Sequence, residues 1–492
     1  RMTDRITLNA GLRWEPYFGQ NVENNAISNF VMDNYLRNVR STVFINAPAG
    51  LIYPGDAGFP EGQSGLNPQW LNFSPRVGLA WDLQGNGRTA VRASYGLTYD
   101  FPTAEYHNIN AQAPPFGNRS LVEDPPGLFD DPYRHIGGDP HPIVASRETQ
   151  YIPNGAFGAI DPDINSPRVQ TWNLTVERQL GTVWQVAASY LGSYSDHLWG
   201  QVALNPGVFL GLGPCTINGV NYTVCSTNAN LDARRVLRIA NENPAASALI
   251  GNLDLHTDIG TQAYRGLKLS FQRRAGRGLT LNGNYTLSRC YGDNTTGGFP
   301  QLASGYTDPA NPDFDRGLCS QDRTHIASLA AGFQTPELST RALALLASNW
   351  RVSGLLSARS GDPLNVITGR DNALTGLQQQ RVNQVLDDPY GDGSLNNYLN
   401  PAAFAQPASG TLGNFERNSL RGPSYWSVDM ALSRLVNFAD HHSVEFRVEA
   451  FNLQNTFNYG NPVVNFNSGT FGRILSMSGA PRVMQFGLKY GF

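Results

Sequence analysis

The chain has 492 residues, 36 Lys+Arg against 39 Asp+Glu, a formal charge of −3, and only 15% charged residues where about 25% is usual in soluble domains. That balance offers no basic surface for nucleic acid, and no apolar stretch reaches the roughly 18 residues of a spanning helix, the longest helical-looking one being "RALALLASNW" at 341–350. With 51 Gly, 31 Pro and 11% aromatic residues, the composition favours β structure joined by long loops; a chain of this kind enters a membrane only as a closed β-barrel, in which every backbone amide is paired.

The first element, 4–15, sets Ile6, Leu8, Ala10, Leu12 and Trp14 against Thr7, Asn9, Gly11, Arg13 and Glu15. Period two of this kind predicts a strand with one apolar face. Further strands are predicted at 75–84, 88–100, 168–180, 183–197, 263–274 and 279–290, and then at 323–335, 349–360, 425–437, 443–453 and 482–492. That makes about twelve, each able to cross a bilayer when tilted, for which roughly 9 to 11 residues suffice.

The connections alternate in length. Long ones (16–74, 101–167, 198–262, 291–322, 361–424, 454–481) take turns with short ones such as "QGNG" 84–87, "GT" 181–182, "AGRG" 275–278 and "ADHH" 439–442, and 336–348 is intermediate. Long loops on one side and short turns on the other is the layout of an outer-membrane barrel. A propeller would repeat at about 40 to 50 residues, and no such period occurs. Trp14, Trp172, Trp199 and Trp426 are expected in an aromatic girdle beside the long loops, and Trp81, Trp184 and Trp350 in one beside the short turns.

The four cysteines fall as Cys215 with Cys225 and Cys290 with Cys319, each pair within one Gly/Asn/Pro-rich segment. No CxxC occurs and no histidine is near either pair, so two local disulfides in an oxidising compartment fit better than a zinc site, with free buried thiols as the alternative. On the polar parity of their strands, Arg92, Glu445, Arg447 and Glu449 are expected to line a wet lumen, where they are simply solvated, pair along the wall, or meet substrate.

Long stretches then carry a family resemblance: "VEFRVEAFNLQNTFNYGNPVVNFNSGTFGRILSMSGAPRVMQFGLKYGF" (444–492), "RVQTWNLTVERQL" (168–180), "ASYLGSYSDHL" (188–198), "DRTHIASLAAGF" (322–333), "NYLNPAAFAQPASGTLGN" (397–414) and "NSLRGPSYWSVDMALSR" (418–434). In this order they resemble Oar-like TonB-dependent outer-membrane receptors. The resemblance implies a carboxypeptidase-regulatory-like domain, a plug with a TonB-interacting box, and a barrel of about 22 strands. The present chain is then expected to be the C-terminal barrel portion, with the plug and roughly ten further strands upstream. The terminal alternation, with Leu488, Tyr490 and Phe492, looks like the assembly signal read by the barrel assembly machinery.

Chemistry is harder to find. The histidines His107, His135, His141, His197 and His256 lie in or beside long loops and His441 and His442 in a turn; no HExxH occurs. The acidic loops at 308–317 and 387–394 miss the usual Ca²⁺ spacing. No cofactor and no enzyme activity is expected. The expected function is import of a bulky, unidentified substrate, with the outer membrane and, through the N-terminal part, the TonB complex as partners. A surface-structural or adhesive role of the long loops is the alternative.

Overall fold

A computed structural model describes residues 2–101, 114–117, 127–131, 133–134, 137–138, 145–276, 278–293, 305–336, 338–340, 347–439 and 442–492. Twelve long strands form one continuous sheet. We number them β1 (Ile6–Trp14), β2 (Phe73–Asp82), β3 (Thr89–Tyr99), β4 (Arg168–Leu180), β5 (Trp184–Ala203), β6 (Ile250–Gly276), β7 (Leu279–Gly292), β8 (His325–Gln334), β9 (Trp350–Arg359), β10 (Tyr425–Ala439), β11 (His442–Phe451) and β12 (Val483–Gly491). Each is antiparallel to the next in chain order, so the sheet is an uninterrupted meander. Among the described residues β1 and β12 are each paired on one side only, and the sheet does not close on itself.

Directly opposed residues in an antiparallel ladder share a face, so the register decides what each face presents. From Leu8 the outer row runs through Leu79, Ala93, Leu174 and Tyr190 to Leu267, Leu287 and His325. Further round, Val352, Leu432, Val448 and Phe486 share that face. The opposite face carries Asn9, Gly78, Ser94, Asn173, Leu191 and Gly266, and further round Ser353, Ala431, Glu449 and Gln485. Leu12, Leu174, Leu267, Phe446, Phe486 and Leu488 are all exposed. An exposed apolar band of this extent on one face of a sheet is a lipid-facing surface.

β5 and β6 run well beyond the sequence expectation, to Ala203 and back to Ile250. Their extra length carries register shifts between Thr257, Gly260 and Gln262, which break the alternation that reveals a strand in sequence. The extension stands clear of the apolar band and is covered by a parallel strand, Gly155–Ile160, paired to Leu253–His256.

The short turns are locally determined. At 83–88 the Asp82 carboxylate accepts from the Gly85 and Gly87 amides at 3.0 and 2.8 Å, closing a hairpin in the place where "GNGR" stands. The long loops instead fold on one another. One core joins Tyr35, Leu51 and Tyr53 of the first loop with Tyr151 and Phe157 of the second, Leu237 of the third and Ile250 at the start of β6. A second joins Leu364, Val382, Phe404 and Phe415 of the fifth with Phe471 of the sixth. Each fully buried Leu or Phe contributes about 1.5–3 kcal/mol, so these loops form a folded extracellular mass with cores of its own.

The girdle expectation needs one correction. Trp14, Trp81, Trp184 and Trp426 are exposed on the outer face, but Trp199 is 4% exposed and packs with Tyr17, Leu66, Ile160 and Ile164. Its indole Nε1 donates to the Asn165 carbonyl at 2.7 Å. It lies on the extended part of β5, above the membrane band, where the loops cover it.

Candidate functional site

The polar face of the sheet brings the four expected lumen residues together in two places. Arg92 on β3 reaches Glu177 on β4 at 3.7 Å, an ion pair along the wall. On β11, Arg447 lies 3.6 Å from Glu449, and Glu445 stands opposite Lys489 in the ladder with β12. All four are on the polar face, with Arg92 and Arg447 largely exposed. Between these charged ends the wall is knitted by neutral side chains: Asn173 donates to Ser94, Thr175 to Ser189 at 2.8 Å, and Asn284 to Ser328 at 2.7 Å. Glu177 is absent from the sequence expectation, although its parity, the same as that of Thr175, could have found it.

Leu488 and Tyr490 lie on the lipid face of β12. Tyr490 stacks on His442 with ring centroids 5.8 Å apart, and its hydroxyl is 2.6 Å from His442 Nδ1. Phe438 and Phe492 flank it at 6.4 and 5.8 Å. The group is an aromatic patch at the short-turn end of the wall. Of the other histidines, His197 Nδ1 lies 2.8 Å from Asp258 and His256 is buried, while His107, His135, His141 and His441 lie outside the described residues. Among the described residues no three His, Cys, Asp or Glu side chains gather as a metal site.

Both disulfides are formed, Cys215–Cys225 and Cys290–Cys319. The first closes a hairpin of the third loop, Cys215–Ile217 against Val220–Tyr222; the second ties the end of β7 to the fourth loop. The acidic loop at 308–317 is occupied by its own chain. Asp315 is buried and ion-paired with Arg381 of the fifth loop, whose guanidinium also donates to the carbonyls of Phe415 at 2.9 Å and Phe314 at 2.6 Å. Arg417 donates to the Asp315 carbonyl at 3.1 Å. Nearby, Arg421 pairs with Asp322 and donates to Thr324 at 2.9 Å. In the second acidic loop Asp392 accepts from the Ser394 amide at 2.9 Å, a solvated turn.

In the first loop Asp56 accepts from Ser41, from the Thr42 amide and hydroxyl at 2.7 and 2.8 Å, and from the Tyr53 amide at 3.0 Å. Burial works to raise its carboxyl, and these donors outweigh burial, so it titrates below its ordinary value. Burial pushes the Tyr17 hydroxyl up to about 12, so it stays neutral.

A meander of strands with one apolar, lipid-facing side, one polar side, short turns at one end and a folded loop mass at the other defines a transmembrane outer-membrane β-barrel wall. Residues 1–485 match the family described as Outer membrane beta barrel domain, and the chain belongs to that family and resides in the outer membrane. No curated protein matches it. Among solved structures it is similar to the outer membrane transporter YddB from Escherichia coli, at 12% identity over 86% of this chain and 41% of that one, TM-score 0.43. It is also similar to the siderophore receptor PiuA from Acinetobacter baumannii, at 11% identity over 100% of this chain and 41% of that one, TM-score 0.43. The chain spans about two fifths of the length of these structures.

Proposed function

We propose that residues 1–492 are the C-terminal barrel portion of an Oar-like TonB-dependent receptor that imports a bulky substrate through a plugged barrel. The observation that carries this reading is the open twelve-strand wall. Unpaired strand edges are not tolerated in lipid, so β1 and β12 call for further strands, and the polar face calls for water or a plug. Energy coupling then requires the TonB complex acting on segments upstream of the barrel. In the same reading Leu488, Tyr490 and Phe492 are the residues recognised by the barrel assembly machinery, and Arg92, Glu445, Arg447 and Glu449 face the lumen.

The extracellular cores and the two disulfides favour a second reading, a surface-structural or adhesive protein whose loops bind matrix or partner proteins. One experiment separates the two. The full-length protein is expressed in its own host, and growth on or uptake from culture medium is compared with a TonB deletion and with a collapsed proton-motive force. Loss of uptake of the same solute under both conditions supports import. Uptake unaffected by either, together with surface adhesion that needs the loops, supports the second reading.

A further inference from the structure

At the extracellular end of β9, on the polar face, Arg359 stands opposite Tyr425 of β10 in the ladder, and its guanidinium carbon lies 4.5 Å from the centre of the Tyr425 ring. Arg359 is exposed and, among the described residues, its guanidinium makes no hydrogen bond or ion pair. It borders a cleft of about 160 Å³ shared with Asp362, Tyr425, Tyr459, Asn461 and Met477. That is room for a carboxylate-sized group with bound water.

The cleft is held rigidly. Gly361 passes so near Gly422 that a Cβ on Gly361 would lie 1.8 Å from the Gly422 carbonyl oxygen, which fixes the two strand ends against each other. Gly479, at φ +117°, lets the sixth loop pass over Tyr425, where a Cβ would lie 3.1 Å from ring atom Cε2. Tyr459 and Met477 bridge across the base of the same loop.

The charges in the cleft are unequal in availability. Asp362 is already carried by an ion pair with Arg323 and by the Asn461 amide, which donates to it at 2.8 Å. Arg359 therefore remains as the one cation of the cleft, among the described residues, whose donors are uncommitted. A guanidinium held over a ring keeps its N–H donors available to a planar oxyanion, and that contact reduces the ordering cost of binding. The neighbouring Asp362 disfavours a second negative charge on the contacting group itself, so a carboxylate group, which brings one charge to the contact, fits better than a phosphate dianion.

We propose that Arg359 and Tyr425 form a carboxylate-recognition subsite in the vestibule, selecting ligands that carry exposed carboxylates. The proposal rests on the polar face being a lumen. Its test uses the purified full-length protein in detergent, without energy coupling, so its failure is distinct from a failure of import. Tetraglutamate peptide, tetraglutamine peptide, citrate and inorganic phosphate are titrated by calorimetry against the native protein, Arg359→Ala, Arg359→Lys and Tyr425→Leu. All variants are first checked for heat-modifiable mobility.

The expected result is binding of tetraglutamate or citrate and not of tetraglutamine. It should weaken about tenfold or more in Arg359→Ala, as loss of a charged hydrogen-bond partner requires, and less in Arg359→Lys. Tetraglutamate binding more tightly than citrate would mark the source as an acidic peptide, and the reverse order a small polycarboxylate. Equal binding of tetraglutamate and tetraglutamine, tighter binding of phosphate than of either carboxylate probe, or unchanged affinity in folded Arg359→Ala would each overturn the proposal.

Discussion

Leu432 and Ala431 are chain neighbours near the middle of β10 that the register sends to opposite faces. Leu432 stands beside Val352 and Val448 in the apolar row, and Ala431 beside Ser353 and Glu449 on the polar one. Arginine at Leu432 should destabilise the barrel by about 2–4 kcal/mol, as a cation near the bilayer midplane does, whereas arginine at Ala431 meets Glu449 and should cost much less. Urea refolding titrations of the two full-length variants in lipid vesicles measure this directly; a larger cost at Ala431 would mean that the faces are reversed, and equal costs that neither position faces lipid differently from the other. Ser433, the other polar neighbour, is a poorer control: it is buried and lies between Arg351 and Arg447, so a third cation there adds like-charge repulsion.

Asp56 makes a prediction of opposite kind, in the loops. Its native carboxyl is depressed, so the stabilisation it contributes is fully present above the unfolded-chain value of about 3.9 and is lost as pH falls through the lower native value. Amide hydrogen-exchange protection at Thr42 and Tyr53, corrected for intrinsic rates, should fall across that acid window in the native protein. In Asp56→Asn it should be lower at neutral pH and lack that step.

At the scale of elements, the strands were legible because each has a wet side and a lipid side, and the alternation of Ile6 to Trp14 or Met484 to Tyr490 records both. All twelve predicted strands occur in the sheet. The prediction fell short where that two-sidedness ends. In the upper half of β6, Asp254 and His256 are buried beneath the loops, and the register shifts near Gly260 remove the period. The loop mass was not legible either, since its cores join residues such as Tyr53 and Leu237, or Val382 and Phe471, that no local spacing relates.

The contact between the fourth and fifth loops includes a buried charge pair, with Asp315 and Arg381 side chains 3% and 2% exposed. Removing one partner strands the other in a low-dielectric site and costs about 3–5 kcal/mol. Arg381→Met should thus release the fifth loop to protease, with native-state proteolysis reporting the loss. The double variant Asp315→Leu with Arg381→Met should recover a large part of it, because no unpaired charge remains. Equal susceptibility of the single and double variants would show that the stranded Asp315 charge is not what loosens the contact.

For the whole molecule, the polar face was the most readable part of the candidate site, because Arg92 and Arg447 share its parity. Their partners were less so, since an ion pair such as Arg92 with Glu177 depends on which strands become neighbours. On the proposal that these twelve strands are an arc of a larger barrel, β1 and β12 are not neighbours. Full-length protein in intact outer membranes would carry paired cysteines, one at Ile6, Leu8 or Ala10 and one at Phe486, Leu488 or Tyr490, and would be oxidised with copper phenanthroline. Val448→Cys with Phe486→Cys, direct partners in the β11–β12 ladder, serves as the positive control. The expected result is efficient cross-linking of the control and none between β1 and β12, since in the larger barrel further strands would separate them. Efficient β1–β12 cross-links would contradict it and make the chain a closed twelve-stranded channel.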